Sequence, residues 1–456
     1  MMRLSEAALA TRGQLIGADV EFCCVRTDSR AIKKGQLFVA LKGENFDGHE
    51  YAAQSLEQGA SAVLVSKASN VSPAVVVEDT RLALGDLASH WRAKFDMPVV
   101  AITGSNGKTT VKEMLAAILK VATADDASVL ATQGNLNNDI GLPMTMLNLG
   151  KQHRYAVLEM GMNHTGELSY LSNLAKPNVA LVNNAGTAHI GELGSLEAIA
   201  NAKGEIFEGL ADGGTAIINA DDVFANLWKN LASKHQQVTF GLKAKADVTA
   251  KYELHAASSD LELIAPNGTV KFTLPAPGLH NVSNALAAAS AALALNVLLE
   301  NIATGLSNFA GVKGRLQTKQ GFAGAKVIDD TYNANPMSMK AAIDVLKASA
   351  GQRIFVMGDM AELGADAASM HSEIGAYAKT AGIEKFYALG EITKNAVTSF
   401  GANAMHFETI EALAESLKNM MNAETTVLVK GSRSMRMERV VDAIQLAQTN
   451  NNGGNH

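Results

Sequence analysis

The chain has 456 residues, and at roughly 150 residues per domain that length suggests three domains. Apolar residues make up 47% and aromatic residues only 5%, with 39 glycines, a balance that fits an α/β protein and argues against a β-sandwich or a disordered chain. The net charge of -6 excludes the concentrated positive field that a nucleic-acid surface needs, so the expected partner is a small molecule and no nucleic acid.

The two cysteines, Cys23 and Cys24, are adjacent. They cannot form an ordinary disulfide with each other without strain and have no Cys or His partners at ligand spacing, which points to a reducing compartment. The start Met1-Met2-Arg3-Leu4-Ser5-Glu6 lacks the charged segment and apolar core of a secretory signal. The longest apolar run, Ala285 to Leu299, is interrupted by Ser290 and Asn296 and falls short of a bilayer span, so it reads as a buried helix. A cytoplasmic protein without stable membrane insertion is expected.

In chain order, residues 1–82 read as a small α/β unit, with strands at Gln36 to Leu41, Ala62 to Val65 and Ala74 to Val77 and a helix at Tyr51 to Gln58. Its polar loops hold Ser29, Arg30, Asn45 and His49, each as readily a solvated turn residue as a group that grips a phosphate or a base. A helix over 80–95 leads into a central unit, 83–313. There Val99 to Thr103 is a buried strand, two glycines allow a tight turn, and Lys108-Thr109-Thr110 opens an amphipathic helix through Lys120. Further strands at Ala156 to Met160, Val179 to Asn183, Ala216 to Asn219 and Val238 to Gly241 alternate with helices, which makes a mainly parallel sheet whose ligands lie at the carboxyl ends of the strands. Segment 245–275 looks like an antiparallel addition. From 314 to 456 a third unit repeats the doubly wound pattern with strands at Val327 to Asp329, Arg353 to Met357, Phe386 to Leu389 and Thr426 to Val429, and the Asn- and Gly-rich tail Thr449 to His456 is expected to be disordered. The fold expected is α/β in three domains: a central P-loop, parallel-sheet, ATPase-like domain between a smaller first unit and a Rossmann-like C-terminal domain.

The chemistry concentrates at Gly104-Ser105-Asn106-Gly107-Lys108-Thr109-Thr110. Backbone N–H groups of such a turn and the positive end of the helix point at an anion, Lys108 supplies a point charge and Thr109 a hydroxyl for Mg2+. The ligand implied is a nucleoside triphosphate. The general pattern G-x-x-x-x-G-K-[ST] wants its first glycine at position 102, where this chain has Ile102, so the loop is a shortened variant. Glu159 and His189 each follow a strand of the same sheet and could converge with Thr109 on one cation, although a lone histidine after a strand is more often a hydrogen-bonding residue. Lys203, in an otherwise helical stretch, reads from composition alone as a solvent-facing lysine. Arg315 and the pair Asp329-Asp330 could face the loop across a cleft, the arginine neutralising a γ-phosphate.

Taken together, Thr103 to Thr109, Glu159-Met160-Gly161, Gly278-Leu279-His280-Asn281-Val282-Ser283-Asn284-Ala285 and Gly314-Arg315-Leu316 resemble the Mur ligases, ATP-dependent amide-forming enzymes of peptidoglycan precursor synthesis. Thr27-Asp28-Ser29-Arg30, Gly134-Asn135-Leu136-Asn137-Asn138, Asp330-Thr331-Tyr332-Asn333-Ala334-Asn335-Pro336 and Lys430-Gly431-Ser432-Arg433 look like the branch that adds D-alanyl-D-alanine to UDP-N-acetylmuramoyl-tripeptide. The resemblance implies ATP and Mg2+ as cofactors, those two molecules as substrates, and a monomer. It implies that Lys108 and the loop hold the ATP phosphates, and that Thr109 and Glu159 bind Mg2+ with His189 beside a second metal site. Asn281 would sit near the adenine, Arg315 and Asp330 would reach the nucleotide from the third domain, and Lys203 would match a lysine that related ligases carry as an N-carbamate. Ser29, Arg30, Asn45, His49, Thr132, Gln133, Asn137 and Asn138 fall where the UDP-sugar peptide would bind, and Asn333, Asn335, Lys430 and Arg433 at the substrate edge of the third domain. Folylpolyglutamate synthetase, which also makes an amide through an acyl phosphate, is the nearest alternative, but it lacks a comparable UDP-binding first domain. A P-loop switch or motor would want an aspartate where Val157-Leu158 leads to Glu159.

Overall fold

Short apolar runs separated by helices give the chain three open sheets, each buried on both faces. The computed structural model describes residues 1–67, 71–187 and 190–446, so His189 and the tail lie outside the described residues. The first sheet has five strands in the order Gln14–Ile16, Ala74–Val76, Ala62–Val65, Gln36–Val39, Cys24–Arg26, parallel except for the first pair.

The central sheet is parallel throughout, in the order Gln236–Phe240, Thr215–Asn219, Val179–Val182, Val99–Thr103, Tyr155–Glu159, Val129–Ala131. The chain leaves Val99–Thr103 first to one side and then to the other. Such a reversal opens a crevice at the carboxyl ends of the strands, where α/β proteins bind ligands. Val99 and Ala101 face one core, continuous with Leu84 and Leu87 of the Thr80–Arg92 helix and with Leu37 and Val75 of the first sheet. Val100 and Ile102 face the other, against Val111, Leu115 and Leu286. This two-sided burial is why the strand reads as an unbroken apolar run.

Strands Thr249–Leu254, Ser259–Ala265 and Gly268–Leu274 form the antiparallel addition. The third sheet runs Gln317–Gln320, Lys326–Asp330, Thr425–Lys430, Gln352–Gly358, Lys385–Leu389, Ala404–Phe407, antiparallel only at its first pair.

Five strands in these sheets lack a sequence expectation: Gln14–Ile16, Cys24–Arg26, Val129–Ala131, Gln317–Gln320 and Ala404–Phe407. All are edge strands of three or four residues, too short to show a period. The alanine-rich run is not one helix. Leu279–Ala294 ends at a turn in which Asn296 takes φ 59°, and Leu299–Ser307 follows as a second helix. Among the described residues no helix is long and apolar enough to cross a membrane.

The helix Lys108–Thr123, which starts at the phosphate loop, is seated against Leu299–Ser307 at Gly305. A Cβ there would come within 2.4 Å of Ile118 Cα and 2.7 Å of its nitrogen. Gly305→Val should therefore push the two helices apart and destabilise the central domain by about 1–3 kcal/mol, visible as a lowered thermal midpoint. An unchanged melting curve would show that this close approach is not a constraint.

Candidate active site

The loop after Val99–Thr103 keeps its shape through the asparagines that follow the neighbouring strand Val179–Val182. Asn106 N donates to Asn184 Oδ1 at 2.8 Å, and Asn184 Nδ2 returns a bond to Asn106 O at 3.0 Å. Asn183 Nδ2 also donates to Asn106 O (2.9 Å), and Ser105 N donates to Asn184 O (3.0 Å). Gly107 has φ 80°, and a Cβ on it would lie 2.3 Å from Asn284 Oδ1 and 2.5 Å from Asn183 Nδ2. Only glycine satisfies both the backbone conformation and the space. Lys108 Nζ closes the turn onto Gly104 O at 2.7 Å, and burial lowers its pKa, with Arg315 adding to the effect and Glu159 opposing it.

Beside the loop stands Glu159, at the end of Tyr155–Glu159 and 2% exposed. Its Oε2 accepts from Thr109 Oγ1 (2.9 Å) and its Oε1 from Asn137 Nδ2 (2.8 Å), while its backbone N–H donates to Thr132 Oγ1 (2.9 Å). Among the described residues no group of three or more His, Cys, Asp and Glu gathers here. One carboxylate and one hydroxyl, both hard oxygen donors, fit Mg2+, which dehydrates reluctantly and takes its other ligands from water and phosphate.

The third domain reaches the loop directly. Arg315 Nη2 donates to Thr109 Oγ1 at 3.0 Å, its guanidinium lies 4.3 Å from the Tyr332 ring centroid, and Asn335 Nδ2 donates to Asn106 Oδ1 at 2.8 Å. Asp330 is paired with Lys430 at 2.7 Å and accepts from Leu316 N at 3.2 Å. Four buried polar atoms around the loop have no partner: Thr103 Oγ1, Asn106 Nδ2, Asn183 Oδ1 and Arg315 Nε. Native interiors leave few such atoms unpaired, and two of these residues, Asn106 and Arg315, line a cleft of about 1300 Å³ that has room for a nucleotide and more.

Ser105, Asn106, Gly107, Lys108, Thr109, Asn137, Asn138, Glu159, Arg315, Asp330, Asn333, Asn335, Lys430 and Arg433 line this cleft. Other expected site residues stand elsewhere. Asn281 is the end of an amide chain behind the loop, donating to Pro277 O (2.8 Å) and accepting from Asn284 Nδ2 (3.3 Å). Thr132 is 1% exposed and serves Glu159 rather than the cleft. In the first domain Arg30 is exposed and engages Asp28 through two bonds, 2.9 and 2.8 Å, holding that carboxyl down at about 2. His49 spends both ring nitrogens internally, Nδ1 on Asp47 at 2.5 Å and Nε2 accepting from Ser66 N at 2.9 Å. Ser29 and Asn45 lie in a short 3-10 turn and a bend, outside the cleft lining, as does Gln133.

Lys203 is not solvent-facing. It ends the helix Leu196–Gly204 with a side chain 2% exposed and no hydrogen-bond or ion partner among the described residues, and burial, then the charge of Lys108, pushes its pKa well below the ordinary lysine value. Residues that the sequence reading did not single out include Asn284, which backs Gly107, Tyr332, which stacks on Arg315, and Lys112, one turn beyond Lys108. The first two lie inside motifs whose neighbours carry the recognisable chemistry, and the third shows only as a repeat of lysine at helical spacing.

A parallel sheet with a phosphate loop, a facing carboxylate and an arginine delivered by a separate Rossmann-like domain defines an ATP-using enzyme of the amide-ligase architecture. The chain matches the Mur ligase family catalytic domain over residues 21–120, the Mur ligase middle domain over 102–292, and the Mur ligase glutamate ligase domain over 314–433. It is 44% identical over 97% of its length, and 98% of the relative's, to the UDP-N-acetylmuramoyl-tripeptide–D-alanyl-D-alanine ligase of Escherichia coli. Among solved structures, MurF from Acinetobacter baumannii superposes with a TM-score of 0.90 at 39% identity, covering 96% of this chain and 97% of that one. MurF from Thermotoga maritima in complex with ADP gives 0.83 at 28% identity, covering 92% and 96%. The chain belongs to the Mur ligase family.

Two outcomes follow from this geometry. Gly107→Ala should abolish nucleotide binding measured by calorimetry while leaving the far-UV spectrum unchanged, and retained binding would contradict the clash with Asn284 and Asn183. Lys203 binds its proton less readily folded than unfolded, so its burial costs stability fully below its lowered pKa, and that cost disappears as pH rises from there toward about 10.4. In bicarbonate-free buffer Lys203→Met should gain stability over the unsubstituted chain, most at low pH, with the difference shrinking as pH rises. A difference independent of pH would place Lys203 in water.

Proposed function

We propose that the chain joins D-alanyl-D-alanine to the terminal carboxylate of UDP-N-acetylmuramoyl-tripeptide, cleaving ATP to ADP and phosphate, in the cytoplasmic assembly of peptidoglycan precursors. The end-to-end likeness to a ligase of that name carries the substrate assignment. The phosphate loop set beside Glu159 supports the ATP chemistry.

A carboxylate is a poor electrophile. In the reaction, one oxygen of the tripeptide carboxylate attacks the γ-phosphorus and ADP departs, leaving an acyl phosphate. The free amine of D-alanyl-D-alanine then attacks the carbonyl carbon, the tetrahedral oxyanion collapses with loss of inorganic phosphate, and the amine gives up a proton. Lys108 and the loop N–H groups hold the phosphates, and Arg315 takes the γ-phosphate charge, with Tyr332 behind its guanidinium face. Thr109 and Glu159 hold Mg2+, which when bound neutralises the phosphate charge. Asn333, Lys430 and Arg433 line the side of the cleft from which the dipeptide approaches. The docking of Arg315 and Asn335 onto the loop shields the acyl phosphate from water. Because one chain supplies both the loop and this cover, a monomer suffices. Arg30 grips the UDP diphosphate by exchanging Asp28 for it, an exchange that their exposure permits.

Lys203 works as a carbamate. A buried lysine with no partner among the described residues and with a lowered pKa presents an unprotonated amine whose nitrogen attacks the carbon of CO2 and then gives up a proton, and the product is an anion in place of a cation that Lys108 repels. Lys203→Ala should lose most activity and regain part of it when a short carboxylic acid is added. A fully active variant would reduce Lys203 to a packing residue.

The reading as a whole is tested by phosphate release over a panel of acceptors and amines. Release should need both UDP-N-acetylmuramoyl-tripeptide and D-alanyl-D-alanine, and Lys108→Ala should abolish it with the fold intact. Turnover with a folate and glutamate instead would favour the folylpolyglutamate alternative.

A further inference from the structure

Lys112 is a charge that the mechanism does not use, and it is 1% exposed. It lies on the helix Lys108–Thr123 one turn beyond Lys108, on the same face. Its ammonium donates to Thr132 O at 2.5 Å and pairs with Glu113 Oε1 at 2.8 Å. An ammonium has three donors and no acceptor, and burying one without partners is costly, so a residue that only filled this space would be apolar.

What Lys112 holds is the root of the loop that carries Asn137. Thr132 follows the edge strand Val129–Ala131 and is fastened to the metal-side strand twice, its N–H donating to Val157 O (3.0 Å) and its hydroxyl accepting from Glu159 N (2.9 Å). Further on, Asn137 Nδ2 donates to Glu159 Oε1 (2.8 Å) and Gly161 N donates to Asn137 O (2.8 Å). Glu159 is thus set from the loop side by Thr132 and Asn137 and from the helix side by Thr109. Among the described residues Lys112 bonds that helix directly to that loop.

We propose that Lys112 is a positioning residue for the metal carboxylate: through the Thr132 carbonyl it fixes the loop against the phosphate-loop helix, so that Glu159 and Thr109 stand at the spacing one Mg2+ needs. This rests on the assignment of Mg2+ to Thr109 and Glu159. Lys112 touches neither metal nor phosphate in this account, and its removal loosens the carboxylate rather than deleting a ligand. Supporting groups behind a metal ligand commonly govern affinity in this way.

The test is calorimetric and does not depend on turnover. Binding of a non-hydrolysable ATP analogue is measured with and without Mg2+, and the gain in affinity that Mg2+ brings is compared among variants. Glu159→Gln should abolish the gain, and if it does not, the metal assignment itself fails. Given that loss, Lys112→Met and Thr132→Val should each reduce the gain by about tenfold or more, with metal-free affinity unchanged, while Thr132→Ser, which keeps the hydroxyl, retains it. Thr132→Val breaks the same relay without disturbing Lys112, so it keeps the test open should Lys112→Met fold poorly. In that case Glu113→Gln, Lys112→Arg and Thr132→Val are compared, and a full Mg2+ gain in Lys112→Arg with Thr132→Val reduced is the expected pattern. A full gain in a folded Lys112→Met, a full gain in Thr132→Val, or an equal fall of affinity with and without Mg2+ would overturn the proposal.

Discussion

The cleft depends on Asn183 and Asn184 holding the backbone of Ser105 and Asn106, Ser105 through the Asn184 carbonyl and Asn106 through both side-chain amides. These bonds tie the loop after one parallel strand to the loop after its neighbour, at the side where the strand order reverses. Because the partners belong to a strand end and not to solvent, the turn already has its shape when the phosphates arrive, and little reorganisation remains for binding. The same crowding dictates glycine at 107 and places Asn284, from the helix Leu279–Ala294 packed beside Lys108–Thr123 on the same face of the sheet, directly behind the turn. A nucleotide site of this kind is therefore a property of three elements distant in sequence, and not of the glycine loop alone.

Charge is distributed against the average of the molecule. The chain carries -6 overall, yet around the phosphate loop Lys108 and Arg315 stand near the buried Glu159, Lys203 is close enough to Lys108 to feel its charge, and Lys112 pairs with Glu113. Removing these cations from water is unfavourable, which is why burial lowers the pKa of Lys108 and Lys203. A polyanion entering the cleft restores what desolvation took away, and it meets a low-dielectric wall where each contact counts for more than in water. The bond from Arg315 to Thr109 makes the third domain part of this field.

The strand, loop and helix around Lys108 were legible because burial on both faces, a positive-φ glycine and an amphipathic helix each leave a mark in residue type and spacing. Edge strands such as Gln317–Gln320 left none, being short and polar, and were recoverable only through their hydrogen-bonded partner. Polar residues were harder. His49, Thr132 and Asn281 have the functional groups a ligand site needs, but their donors and acceptors are matched internally by Asp47 and Ser66, by Glu159, and by Pro277 and Asn284. Residue type states what a side chain can bond, and only the fold states what it already has bonded. Lys203 shows the converse: composition reads it as a surface lysine, whereas it shares a helix face with the fully buried Ile199 four residues earlier. The Mur ligase resemblance singled it out as a candidate carbamate because motif order carries information that a single residue does not, and the structure shows its side chain to be buried.

The most direct measurement follows an oxygen atom. If the tripeptide carboxylate is labelled with 18O and the ligation is run to completion, attack on the γ-phosphorus followed by loss of phosphate from the acyl carbon must carry one labelled oxygen into each inorganic phosphate released. The account predicts singly labelled phosphate, formed only when D-alanyl-D-alanine is present. Unlabelled phosphate accompanying amide formation would mean that ATP is cleaved by water and that the cleft performs a different reaction.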